Sequence, residues 1–86
     1  MLEEIKKIQG IGHDDFDKII QSYIESCRLD LKAIGIAEKK VNTDDDLVRT
    51  AILTYVLSFL DVNNSEMYLN SYNLQKDVLR HLSEYK

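Results

Sequence analysis

Apolar residues recur along this chain with the period of an α-helix, in four separate runs. Leu2, Ile5 and Ile8 stand three apart and predict a short amphipathic helix over residues 2 to 9, closed by Gly10 and Gly12. A longer helix is predicted from about 14 to 34. There Phe16, Ile19, Ile20, Tyr23, Ile24, Cys27, Leu31 and Ile34 fall within about 100° of one face, and Gly35 supplies a left-handed stop. Residues 36 to 43, IAEKKVNT, hold no sustained period and read as a loop. A third long run covers about 44 to 60, and a fourth about 65 to 83, with the capping-rich turn DVNNSE between them. On the last helix Tyr68, Tyr72, Leu79 and Leu82 align, flanked by Leu74 and Val78.

The helix at 44 to 60 differs from the others. Val48, Ala51, Ile52, Tyr55 and Phe59 form one apolar face, and Leu53, Val56, Leu57 and Leu60 form another. Only Thr50, Thr54 and Ser58 make a narrow, weakly polar stripe. A helix apolar nearly all round is buried nearly all round. Two outcomes are open: it is the central helix of the bundle, or its second face meets another subunit. The predicted class is all-α, a small bundle of one short and three longer helices, in a single domain spanning 1–86.

Composition narrows the classes. Proline is absent and glycine occurs three times, which favours helices joined by short connections over β-turns. A net charge of −4 opposes a surface that binds nucleic acid by neutralising phosphates. With one cysteine there is no internal disulfide. The amino terminus MLEEIKK does not resemble a secretory signal, so a cytosolic product is expected. No apolar stretch reaches the ~20 residues that span a bilayer, so no membrane segment is expected.

IQGIGHDDFD, residues 8 to 17, is the stretch most suggestive of chemistry. His13 and Asp14 are adjacent and diverge on a helix, while the other histidine, His81, lies far along the chain. The aspartates are better read as helix N-caps, Asp14 at one start and Asp44 at the next, because carboxylates satisfy free N–H groups there. No metal or other cofactor is expected. GIG lacks the third glycine and the preceding strand of a nucleotide loop. Cys27 lies on an apolar face, no serine stands in a nucleophile elbow and no two histidines share a face, so no enzyme is expected and no catalytic residue is assigned.

Two resemblances remain. IKKIQGIGHDDFDKII resembles a helix-hairpin-helix, with Ile5, Ile8, Gly10, Ile11, Gly12 and Phe16 at the pattern's positions. Acids follow its second glycine where a phosphate would sit. A DNA-binding module of that kind is one alternative, and a monomeric acidic helical adaptor that binds another protein is a second.

Nearly the whole chain resembles the small all-α head-tail connector (adaptor) proteins of tailed phages and of prophages in Gram-positive bacteria. The resemblance rests on IIQSYIESCRLDLKAIGI, DDDLVRTAILTYVLSFL and NNSEMYLNSYNLQKDVLRHLSEY. Its carriers are Asp17, Ile20, Ile24, Cys27, Leu31, Gly35 and Ile36, then Asp46, Ala51, Ile52 and Tyr55, then Tyr68, Tyr72, Leu79 and Leu82. The resemblance implies a structural virion assembly protein without an active site. Copies would form a homo-oligomeric ring beneath the portal, extend the DNA channel used in packaging, and offer a platform for the next connector or tail piece. DNA would pass through without specific binding. The location implied is the head-tail junction of the virion, with assembly in the host cytoplasm. Leu53, Val56, Leu57 and Leu60 are expected to form part of the subunit seam. For docking to the portal or tail, the family's use of the carboxy-terminal end and exposed loop points to Ile36, Val41, Leu82 and Tyr85.

Overall fold

The computed structural model of the protein describes residues 1–43 and 45–86, and the described residues are helical and loop throughout. α1 spans Leu2–Gln9, α2 Asp17–Ala33, α3 Glu38–Val41, α4 Asp46–Leu60 and α5 Ser65–His81. Short 3₁₀ turns follow α4 at Val62–Asn64 and α5 at Ser83–Tyr85.

Glycine closes the first two helices, as the sequence predicts. Gly10 takes φ 68° and lets the Ile11 N–H reach back to the Lys6 carbonyl at 2.8 Å. Gly35, at φ 99°, lets the Ile36 N–H bond the Leu31 carbonyl at 3.1 Å. Both serve carbonyls that a helix end leaves open, in the six-residue return of a Schellman stop.

Three boundaries differ from expectation. α2 begins at Asp17 and not near 14; its N-cap is Phe16, with no side-chain cap bond. α4 begins at Asp46, where the Asp45 carboxylate accepts from the N–H groups of Leu47 and Val48, each at 3.2 Å. The N-cap role expected of Asp44 lies outside the described residues. The segment read as a loop contains α3, a single helical turn. Val41 on that turn is fully buried, and packing of this one side chain replaces the missing period.

α4 is the centre of the bundle. It packs most extensively on α5, then on α2, and also touches α1. Val48, Ala51, Ile52 and Val56 are buried together with Ile5 of α1 and with Ile20, Ile24, Cys27 and Leu31 of α2. Thr54 and Ser58, from the weakly polar stripe, are buried too. Their hydroxyls are satisfied within the helix, Thr54 donating to the Thr50 carbonyl at 2.8 Å and Ser58 to that of Tyr55. Small, internally satisfied side chains make that flank compatible with burial, and Gln75 of α5 donates to Thr54 Oγ1 across it at 3.2 Å.

One polar network crosses the core. The Tyr72 hydroxyl of α5 donates to Asp30 Oδ2 of α2 at 2.6 Å, and Cys27 Sγ lies 3.5 Å from the same hydroxyl. Lys76 bonds that carboxylate oxygen at 3.1 Å and rests 4.9 Å from the centre of the Tyr72 ring. Burial pushes the Cys27 thiol up to about 12, which holds the sulfur in its neutral, weakly nucleophilic form.

Candidate assembly surfaces

The glycine-rich stretch folds as a loop pinned from behind by one lysine. Lys6 Nζ donates to Asp14 Oδ1 at 2.7 Å and pairs with Asp17 Oδ1 at 2.9 Å, its side chain only 8% exposed. The hydrogen bond to Asp14 and the contact with Asp17 hold the ammonium above its ordinary range, and the Lys6 hydrogen bond holds Asp14 below its own. This corrects the capping role expected of Asp14. A full ammonium outcompetes backbone N–H groups for its carboxylate, leaving only the Asp14 carbonyl to receive the Asp17 N–H, at 3.2 Å.

Lys6 is thus engaged by acids beside it, and Asp14 and Asp15 remain exposed. A phosphate approaching the loop amides meets negative charge, so the helix-hairpin-helix likeness does not extend to its electrostatics.

The seam expected on α4 is divided by the fold. Val56 and Leu57 are buried inside their own chain, because α4 is central. Leu53 and Leu60 remain half-buried. A similar correction applies to docking: Ile36, Val41 and Tyr85 all belong to the core, and only Leu82 is half-buried.

The reason is that the two ends proposed to dock outward dock on each other. The Ala37 N–H donates to the Tyr85 carbonyl at 2.6 Å, the Tyr85 hydroxyl donates to Asp45 Oδ2 at 2.7 Å, and Lys40 Nζ lies 5.1 Å from the Tyr85 ring centre. The Asp45 hydrogen bond pushes the Tyr85 hydroxyl up to about 12, and the same bond holds Asp45 below the usual carboxylate range.

Two other surfaces are left apolar and open. One is an aliphatic groove of about 210 Å³ between the start of α4 and the second half of α5, lined by Leu47, Thr50, Leu74, Gln75, Val78 and Leu79. Leu74 is 69% exposed and Val78 57%. Met67, Leu74 and Val78 stand seven and four apart, so they form a second stripe on α5, beside the one carrying Tyr72 and Leu79. The second surface is an aromatic hollow of about 400 Å³, lined by Gln9, Ile11, Phe16, Ile19, Tyr23, Phe59 and Leu60.

Phe16, Ile19 and Phe59 are each about half exposed there. Behind them runs a file of rings: Tyr23 stacks on Phe59 at 4.6 Å, Phe59 meets Tyr55 edge-on at 5.1 Å, and Tyr55 meets Tyr72 at 5.1 Å. The exposed ring is therefore held by contacts that lead into the core.

Among the described residues, neither lining contains a charged side chain, although 30% of the chain is charged. Loss of charge with gain of aromatic and aliphatic surface is what marks the centre of a protein interface. The hollow and the groove use opposite ends of α4, roughly 18 Å apart at 1.5 Å per residue. Sequence periodicity puts Phe16, Ile19 and Phe59 on apolar faces without telling which members of a face stay outside.

In comparison with known proteins, the family model described as phage connector protein matches residues 1–79. Comparisons with curated proteins and with solved structures gave no match.

Proposed function

The chain belongs to the phage connector protein family, matched over 79 of its 86 residues, and from that membership we propose that it builds the junction between the head and tail of a phage particle. The family points to a virion component with a structural and not an enzymatic role. In the proposed arrangement identical copies form a ring on the portal, carry the DNA channel onward, and present the next connector or tail piece with a platform.

Family membership carries this reading, and the physical features agree with it. A chain of net charge −4 lining a conduit repels the DNA backbone, so DNA slides and does not stick. The loop that could have gripped phosphate presents carboxylates, with Lys6 already engaged. Two uncharged apolar surfaces are more than a solitary small domain needs, and they give the chain places to be covered by other virion components.

Sedimentation velocity tests the proposal directly. The purified chain is run over a range of concentrations, alone and mixed with purified portal particles. Co-sedimentation in a fixed stoichiometry, with multiple copies per portal, is the expected result. A chain that stays monomeric at every concentration and never moves with the portal contradicts it.

A further inference from the structure

Resting on the ring reading above, we infer that neighbouring copies join head to tail, the aromatic hollow of one subunit seated against the aliphatic groove of the next. Three observations select this pairing. The net charge of −4 sets copies of the chain against one another, so they meet most favourably through the two linings that carry no charge. A basic partner would instead be drawn to the acidic remainder.

The two linings are chemically unlike, one built on Leu47, Leu74 and Val78 and the other on Phe16, Ile19 and Phe59, and they lie at opposite ends of α4. A two-fold dimer through either surface leaves the other exposed in each copy. A heterologous contact covers both in every copy and continues from subunit to subunit until it closes. Finally, one chain has room for both contacts: two seams of the standard size, about 800 Å² per partner, would cover roughly 30% of its 5428 Å² surface. Half-exposed Phe16 and Phe59 supply rigid anchors, and the groove along α5 supplies the aliphatic wall that receives them.

Cysteine cross-linking in assembled material tests the pairing, with electron microscopy scoring rings in the same samples. Ile19→Cys and Leu74→Cys change exposed positions on separate helices, and the native Cys27 is buried and serves as an internal background. A mixture of the two single variants, oxidised after assembly, is expected to give mixed dimers. Either variant alone gives no dimer beyond the wild-type background, and the double variant gives a ladder of multimers. Leu74→Arg places a charge in the groove and is expected to raise the concentration needed for assembly at least tenfold with helix content unchanged. Rings that form without an Ile19 to Leu74 link, or that tolerate Leu74→Arg, overturn the pairing while leaving the ring intact. Efficient dimers of either single variant alone overturn it in favour of a two-fold contact. Absence of rings under every condition, portal included, overturns the ring reading itself and the pairing with it.

Discussion

Replacing Tyr72 by Phe removes one oxygen from the interior and keeps the ring that packs between α2, α4 and α5. That hydroxyl donates to Asp30 Oδ2 at 2.6 Å and lies 3.5 Å from Cys27 Sγ. A hydrogen bond to a charged group contributes about 1.5–3 kcal/mol net. The Asp30 side chain is 38% exposed and keeps its contact with Lys76, so solvent and the remaining partner place the loss near the lower end, about 1.5 kcal/mol. At roughly 4–8 °C per kcal/mol for a domain of this size, the melting temperature falls by roughly 6–12 °C.

The pH dependence gives a second signature. Burial works to raise the Asp30 pKa, but the Tyr72 hydroxyl and the Lys76 ammonium together outweigh it, and the carboxyl lies below its ordinary range. A carboxyl depressed on folding contributes stability above its unfolded pKa, about 3.9. That contribution is lost as pH falls through the folded value. The gap between wild type and Tyr72→Phe is therefore full from about pH 5 upward and narrows below about pH 4. Thermal unfolding followed by far-ultraviolet circular dichroism, near neutrality and at about pH 3, reads both signatures. An unchanged melting temperature near neutrality, or a gap that persists undiminished in acid, refutes the reasoning.

Lys6→Met removes the cation behind the 10–16 loop, and amide hydrogen exchange there is expected to rise while protection in α4 and α5 stays unchanged. Because Asp14 is held below its ordinary range, acid has the same loosening effect on the wild type as pH falls through that depressed value. The Cys27 thiol, buried and raised to about 12, is expected to react with a chromogenic disulfide only as fast as the chain opens, and at once in denaturant. Val56→Ala deletes two buried methyl groups and is expected to cost about 2 kcal/mol in denaturant titration, whereas exposed Leu74→Ser shifts stability by less than about 0.5 kcal/mol. Equal effects from those last two would place the core and the free surface incorrectly.

The helices were largely legible because their apolar residues keep a 3.6 period and glycines mark two of the stops. α1 matches residues 2 to 9, α2 and α4 match in type and start later than expected, and α5 starts at Ser65 as expected and ends two residues early, at His81. The start of α2 lies later than its acids suggest, because an acid before a helix reads as a cap whether or not a distant lysine takes its carboxylate. Lys6 and Asp14 are eight residues apart, on opposite sides of the Gly10 turn, and periodicity is silent on that pair. α3 leaves no periodic mark on the sequence because four residues are too few to show one, and its stability comes from Val41 and from the chain end that folds back on it through Tyr85.

The assembly surfaces were legible only as a set of apolar residues. A wheel shows that α4 is greasy on two flanks, and it does not show that Leu57 is buried while Phe59 stays half open. Exposure is decided by which helix packs where. Ile36, Val41 and Tyr85 were expected outside for the same reason. Their neighbourhood is created by tertiary contact between segments some fifty residues apart, as in the bond from Ala37 to Tyr85.

The most direct measurement of the account is the position of this chain in the particle. Gold-labelled antibody against it, viewed by electron microscopy on phage particles and DNA-filled heads, is predicted to mark the single vertex where head meets tail. Particles that carry no label, with the chain confined to the unassembled fraction of the lysate, would contradict it.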